Sequence, residues 1–268
     1  VSNIFRAEPP QTLNSQAEDD RLFVRAAGRA MQVLGAFHKA TGPLSLSSIA
    51  SAAQIDRSAA QRLVHTLMQM GHIRRSADDR GYLPGIRLLD HTLDLLRLDP
   101  VVQKATPVLL ELRKSLRERV DLSLYDETRL IYALRMQSKR ETFYASLVGH
   151  SVPTYCTAGG RAVLAKLPDS AAREILERAP LHAFTTKTET DPGAVMQAIG
   201  KAREDGFAMV CDEFIQGEVA IGVAITDRSG APLSAIHVGG SLSEWTPDAF
   251  VAKVAPLAIE AASAIMAG

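Results

Sequence analysis

The stretch from Leu44 to Tyr82, LSLSSIASAAQIDRSAAQRLVHTLMQMGHIRRSADDRGY, admits few folds. It reads as two short helices across a tight turn, followed by a two-stranded ribbon with a charged tip. Ser47 is placed to cap the first helix, whose buried side is Ile49, Ala50 and Ala53. Asp56 is placed to cap the second, its carboxylate accepting from free backbone N–H groups at the positive end of the helix dipole. Ala60, Leu63, Val64 and Leu67 then recur at i, i+3, i+4 and i+7, a single apolar stripe. The other face carries Arg57, Ser58, Gln61, Arg62 and His65. Gly71 suits the left-handed position that ends a helix. Beyond it, HIRRS and RGYLP flank Ala77-Asp78-Asp79 as the sides of a hairpin that holds Arg74, Arg75 and Arg80. The pattern is a helix-turn-helix with a basic wing.

Many helical domains that touch no nucleic acid contain such helix pairs, so charge has to discriminate. Residues 21–87 hold ten Arg or Lys against three Asp or Glu, a net charge of +7, whereas residues 1–20 carry −3 and residues 88–268 carry −4. The chain, with 30 basic and 30 acidic residues, is neutral only because these blocks cancel. A solvated surface needs no such segregation. A phosphate-binding surface does, because affinity grows with the number of phosphates neutralised and counterions released.

A length of 268 residues suits two domains or one large one, and 46% hydrophobic with 22% charged residues is ordinary for a water-soluble chain. With no uninterrupted apolar run near 18 residues, the sequence predicts no membrane-spanning helix, and its polar, acidic start predicts no signal peptide. Cys156 and Cys211 lie far apart without metal-ligand spacing, which predicts free thiols in the cytoplasm and neither metal nor cofactor.

In order along the chain, residues 1–21 read as a polar, disordered tail with Pro9-Pro10. A helix from Arg25, with Ala30, Val33, Leu34 and Phe37 on one face, stops at Thr41-Gly42-Pro43 and completes a winged domain over residues 22–85. A helix beginning at Gly85, leucine-rich nearly all round, forms a linker over residues 86–99. It serves either two partners, one of them a second subunit, or the interior of one compact domain. Residues 100–268 form the second domain. Pro100 opens its first helix, and Val120, Leu122, Leu124 and Leu130, Tyr132, Leu134 mark two strands about a turn at Asp126-Glu127. Residues 143–148 are a further strand candidate. Helices follow over residues 157–167, 169–178 and 192–204, strands over 207–211, 219–226 and 233–238, and a last helix from Pro247 to about Ile265. The order predicts an α+β domain with an antiparallel sheet.

No catalytic set in the second domain is specific. Cys156 with His150 would be a thiol and its base, yet an inert buried cysteine is the preferred reading, since reactivity needs a lowered pKa. Asp212-Glu213 would be acid and base, but neighbours on a strand point to opposite faces. Hydrolase chemistry or stand-alone sensing through these residues is the competing reading. Binding is better supported: Thr157-Ala158-Gly159-Gly160 opening a helix would present bare N–H groups to a carboxylate, unless the glycines merely permit close packing.

Four stretches carry a resemblance to the IclR family of transcriptional regulators: GRAMQVLGAF, LSLSSIASAAQIDRSAAQRLVHTLMQMGHI, GHSVPTYCTAGGRAVLAKLP and DEFIQGEVAIGVAITDRSGAPLSAIHVGGS. The resemblance implies a winged helix-turn-helix, a linker helix and a GAF-like α/β effector domain, in dimers or tetramers on palindromic operators. It places Arg57, Ser58, Gln61, Arg62 and His65 on the recognition helix. Ser47, Ala59 and the wing residues Arg74, Arg75 and Arg80 complete the expected DNA-facing set. Around the effector pocket it places Gly149, Thr157, Ala158, Gly159, Gly160, Asp212, Glu213, Ala220, His237 and Gly239. The chain departs from the family pattern at Ala59 (for Thr), Arg161 (for Lys), Ala220 (for a pocket Cys), and His237 and Gly239 (for pocket Ser). Lost hydroxyls and thiol disfavour the smallest oxo-acids. His237 is free to pair with a carboxylate and the small residues make room for a larger ligand, so the expected effector is an organic acid larger than the smallest oxo-acids, aromatic acids included.

Overall fold

The computed structural model describes residues 21–138 and 148–267. The chain divides into two compact units, with the cut between Arg97 and Leu98. In the first, α1 (Arg25–Gly35) runs through a 3-10 turn (Ala36–Lys39), followed by α2 (Leu46–Ala52), α3 (Arg57–Gln69), a hairpin of β1 (Ile73–Arg75) and β2 (Tyr82–Pro84), and α4 (Leu88–Leu98). Val33, Phe37, Ile49, Ala53, Val64, Leu67 and Ile73 meet in one core, so the stripe predicted for α3 is its buried side.

Ser45, not Ser47, caps α2. Leu44 pairs with Tyr82 and holds the chain extended up to Ser45, whose Oγ accepts from the Ser48 N–H at 3.0 Å; Ser47 lies exposed inside the first turn. Asp56 caps α3 as expected, its Oδ1 accepting from the Ala59 N–H at 2.8 Å, which holds the carboxyl below its ordinary pKa. Between these helices Gln54 takes a left-handed conformation, φ 54°, and the Ile55 N–H donates to the Ala50 carbonyl to close the turn. After α3, Gly71 at φ 76° and the His72 N–H donating to the Leu67 carbonyl end the helix as glycine at that position should.

Helix α4 starts at Leu88 rather than Gly85 and buries none of its residues. Ile86 before it and Leu89, Leu93, Leu95 and Leu98 within it are all exposed, which removes the alternative of a helix sunk inside one compact domain. Its link to the winged domain is polar: His91 lies in hydrogen-bond contact with His72, Nε2 to Nε2 at 2.8 Å, the rings stacked.

The second unit has a six-stranded antiparallel sheet in the order β5 (Ser151–Pro153), β4 (Arg129–Met136), β3 (Arg119–Asp126), β8 (Pro232–Ser241), β7 (Glu218–Thr226), β6 (Ala208–Cys211). Helices α5 (Pro100–Leu116) and α9 (Pro247–Ala267) pack on one face; α6 (Ala158–Leu164) and α8 (Pro192–Asp205) cover the other, with α7 (Asp169–Arg178) against α8. The β5 strand escaped the sequence reading, and residues 143–147 of the candidate strand lie outside the described residues. Asp212 and Glu213 sit not on a strand but in the bend after β6, Asp212 with φ 59°. Helix α9 holds an 18-residue stretch of mean hydropathy 1.6, long and apolar enough by composition alone to cross a bilayer. It nonetheless buries Phe250, Val254, Ala258, Ala262 and Ile265 and packs on β7 and α5, as a core helix does.

The seat of α6 depends on absent side chains. A Cβ on Gly222 of β7 would stand 2.1 Å from the Ala158 carbonyl carbon, and one on Gly160 would stand 2.2 Å from the Thr154 carbonyl oxygen. Backbone cannot yield as a flexible side chain can. Gly222→Ala is therefore expected to cost about 3 kcal/mol of stability in the second unit, read as a lower urea midpoint, while Gly230→Ala, with open space around it, tests the left-handed backbone alone.

Candidate nucleic-acid interface and effector pocket

In the first unit the helix cap and the left-handed glycine fix both ends of α3, and its apolar stripe fixes its rotation. Arg57, Ser58, Gln61, Arg62 and His65 are all exposed as a result. Ala59 departs from that set. It is buried against the core and its N–H is taken by Asp56, so its missing hydroxyl removes nothing from the outer face. A groove of about 610 Å³ between α3 and the wing is lined by Gln61, Arg62, His65, Arg75 and Tyr82 among others. In the wing, the Arg75 guanidinium lies over the Tyr82 ring and pairs with Asp79 at 3.0 Å, and Arg80 lies 3.7 Å from Asp78. Arg74 is exposed and forms no ion pair among the described residues.

In the second unit, strand alternation puts Arg119, Asp121 and Ser123 of β3 on the face toward α6, opposite Gly239, His237 and Ala235 of β8. Gly222, Ala220 and Glu218 continue that face on β7, and Arg135 faces Asp121 from β4. Of the residues expected at the pocket, Ala158, Gly159, Ala220, His237 and Gly239 come together here. A Cβ on Gly159 would fall 2.2 Å from the His237 ring, so the glycine exists to admit the imidazole. Ala220 packs with Ala158 and Val210.

The rest of the expected set is placed otherwise. Thr157 caps α6, its Oγ1 accepting from the Gly160 N–H at 3.3 Å and donating to the Pro153 carbonyl at 2.7 Å, and every residue of α6 is buried. Thr157 thus takes one of the N–H groups at this helix end, and the tight surroundings of Gly159 and Gly160 support the close-packing reading. Gly149 is an exposed turn at φ 81°. Glu213 is consumed by Arg161: both Arg161 terminal nitrogens donate to its carboxylate at 2.6 Å, and the Arg161 Nε donates to the Tyr155 carbonyl at 2.7 Å. The Arg that replaces a family Lys is thus a buried clamp between α6 and the bend after β6, a bidentate task that Lys cannot perform. Asp212 is held by Lys187 at 2.8 Å.

Sequence reading missed the charged core of this face. Asp121 is fully buried and takes Arg135 Nε at 2.8 Å, Arg135 Nη2 at 2.9 Å and Arg119 Nε at 3.0 Å; Arg119 also reaches both carboxylate oxygens of Glu218. The Arg135 guanidinium covers the Tyr132 ring at 4.6 Å. A signal existed in RVDLSLYD, where Arg119, Asp121 and Ser123 alternate with the apolar residues; such a face normally meets water, but here it meets α6. His237 lies between these charges, Nε2 to Ser123 Oγ at 2.7 Å, its ring edge-on to Tyr132. Burial pushes its pKa down to about 4, with Asp121 opposing and the two arginines assisting. Burial thus favours the neutral imidazole at pH 7. The cations of this face are Arg119 and Arg135.

The competing catalytic reading finds little support. Burial pushes the Cys156 thiol up to about 12, leaving almost no thiolate at neutral pH, and Asp212 is engaged by Lys187 and the Gly217 N–H. Among the described residues no cluster of three or more His, Cys, Asp or Glu could hold a metal.

Comparison with known proteins agrees with this architecture. The model for the C-terminal domain of bacterial IclR transcriptional regulators matches residues 94–267, and that for the IclR helix-turn-helix domain matches residues 26–77. The chain belongs to the IclR family: it is a transcriptional regulator with a DNA-binding helix-turn-helix and a C-terminal effector domain. The Pca regulon regulatory protein of Pseudomonas putida is 29% identical over 240 residues, covering 89% of this chain and 82% of that protein. The crystal structure of the Thermotoga maritima IclR protein superposes with a TM-score of 0.67 at 26% identity, over 91% of this chain and 98% of that one. An IclR homologue from Microbacterium hydrocarbonoxydans, solved in complex with 4-hydroxybenzoate, superposes with a TM-score of 0.72 at 22% identity, over 90% and 98%.

The state of His237 can be checked by titration. Its folded pKa of about 4 lies below the ordinary 6.5, so the unfolded chain takes up the proton first. Stability then falls as pH drops from about 6.5 to about 4, with no further loss from this group below that. His237→Gln, which keeps a hydrogen-bonding partner for Ser123, is expected to flatten this part of the stability–pH curve in urea titrations.

Proposed function

We propose that this chain is a cytoplasmic, ligand-responsive regulator that reads a palindromic operator as a dimer or tetramer and answers to a small organic acid, aromatic in the favoured case. The observation that carries the DNA half is the exposed face of α3, with Arg57, Ser58, Gln61, Arg62 and His65 beside a wing bearing Arg74, Arg75 and Arg80, all within a segment of net charge +7. The α3 side chains read base edges in the major groove, and the wing arginines hold phosphates or reach the minor groove. Arg74 is the readiest of these, since Arg75 and Arg80 must first loosen Asp79 and Asp78. The exposed leucines of α4 support assembly, because a row of large apolar side chains on one short helix asks for a partner surface.

The effector half rests on the face formed by β3, β4, β8 and β7, where two arginines, the Tyr132 ring and a neutral imidazole surround small residues. Glyoxylate-sized acids would reach too few of these groups. A benzoate-sized acid brings a carboxylate for the arginines and a ring for Tyr132, and the Microbacterium homologue was solved with 4-hydroxybenzoate. The ligand alters operator binding only through the difference in its affinity for two subunit arrangements.

Electrophoretic mobility shifts on DNA flanking the gene, with and without a panel of carboxylic acids, test both halves. Arg62→Ala is expected to lower operator affinity at least tenfold and to leave acid binding unchanged; unaltered operator affinity would show that α3 is not the reading helix. Arg74→Ala is expected to weaken all DNA sequences alike and to reduce the slope of log K against log salt by about one. Calorimetry in which glyoxylate binds as well as benzoate would overturn the size preference.

A further inference from the structure

The pair Arg119–Glu218 stands apart from the rest of the charged cluster. Asp121 is fully buried and its carboxylate is filled by Arg135 and the Arg119 Nε, so that inner group is fixed. The outer edge of the Arg119 guanidinium, its two terminal nitrogens, meets Glu218 end-on, with Nη2 to Oε1 at 3.0 Å. Both side chains keep some exposure, 19% for Arg119 and 17% for Glu218. They line a cavity of about 210 Å³ between the ends of β3, β4, β7 and β8. A Cβ on Gly239 would stand 2.4 Å from Arg119 Nη2, so this glycine lets the guanidinium lie across β8 with its outer edge toward that cavity.

Glu218 is chemically what an acid ligand would bring: one carboxylate, two oxygens, the same two N–H donors. Resting on the acid-effector reading above, we propose that Glu218 is a built-in competitor, and that an effector carboxylate binds by displacing it from Arg119. The exchange breaks one bidentate pair and makes another, so the carboxylate alone gains the ligand little. Glu218 is moreover tethered, so it competes at a constant effective concentration. A small acid whose only handle is its carboxylate cannot displace it. An acid with a ring or chain to bury supplies the missing free energy from apolar contact. The competitor thus converts a generic anion site into one that demands a larger acid. The freed Glu218 side chain moves toward solvent at the start of β7, directly after the bend that Arg161 clamps through Glu213.

Calorimetry on the full chain tests this with glyoxylate, benzoate and 4-hydroxybenzoate as probes, and neutral 4-hydroxybenzamide for comparison. The isosteric Glu218→Gln is expected to tighten the benzoate-sized acids at least tenfold and to give glyoxylate measurable affinity, while the amide gains nothing. Arg119→Gln is expected to weaken the acids at least tenfold, and Gly239→Ala, which displaces the guanidinium, to act in the same direction. Acids that bind the wild type but bind Glu218→Gln equally or more weakly would overturn the competitor while leaving the acid effector standing. Should no acid bind either the wild type or Glu218→Gln, both readings fall together. Acids that bind Glu218→Gln alone would support the competitor directly. Thermal melts of each variant separate loss of the site from loss of the fold.

Discussion

A single carboxylate, that of Asp121, organises the effector unit. A charge with no exposure survives only if it is paired and hydrogen-bonded on every side. Two arginines from adjacent strands meet that demand and are themselves oriented by it. One is pressed over Tyr132; the other is turned outward to Glu218. Asp121 raises the pKa of His237 in their midst and the two arginines lower it, but burial is the largest influence. Removing Asp121 would take from Arg135 the carboxylate that orients it and leave Arg119 to Glu218 alone. The sheet's inner face therefore stands or falls as one unit.

The DNA-facing unit solves a different problem, that of aiming one short helix. Asp56 and Gly71 fix where α3 begins and ends, and its apolar stripe fixes its rotation. Leu44 joins the wing as a third strand segment through Tyr82, tying the hairpin back to the entry of α2. This contact also moves the cap of α2 from Ser47 to Ser45. The aim of the helix is thus set by local backbone chemistry at its ends, with the hydrophobic core only holding it in place.

These local devices are the part that the sequence discloses. The Asp56 cap, the left-handed Gly71, the α3 stripe and the Pro-initiated helices α5, α8 and α9 are written within a few residues of where they act. Family resemblance pointed to Gly159, Ala220, His237 and Gly239, which do meet on one face of the sheet. What it could not supply was partnership across long separations. Glu213 reaches Arg161 52 residues away, and Arg119 reaches Glu218 99 residues away. Glu213 reads as pocket lining and Glu218 carries no signal at all until the fold brings their partners to them. Likewise His237 looks like a ready cation in sequence, and only its burial shows it to be neutral.

The glycines that seat α6 have a consequence for how this chain can vary. Gly159 yields its volume to an imidazole, Gly160 to the Thr154 backbone and Gly222 to the Ala158 backbone. None of these needs contribute a single atom to a ligand. Selection will hold them nonetheless, more tightly than side chains that touch the ligand, since a contact residue can be exchanged when the ligand changes whereas a backbone crossing cannot be widened. Descendants of this protein that turn to new acids are therefore expected to differ at positions such as Ala220 and His237 while carrying the same three glycines unchanged.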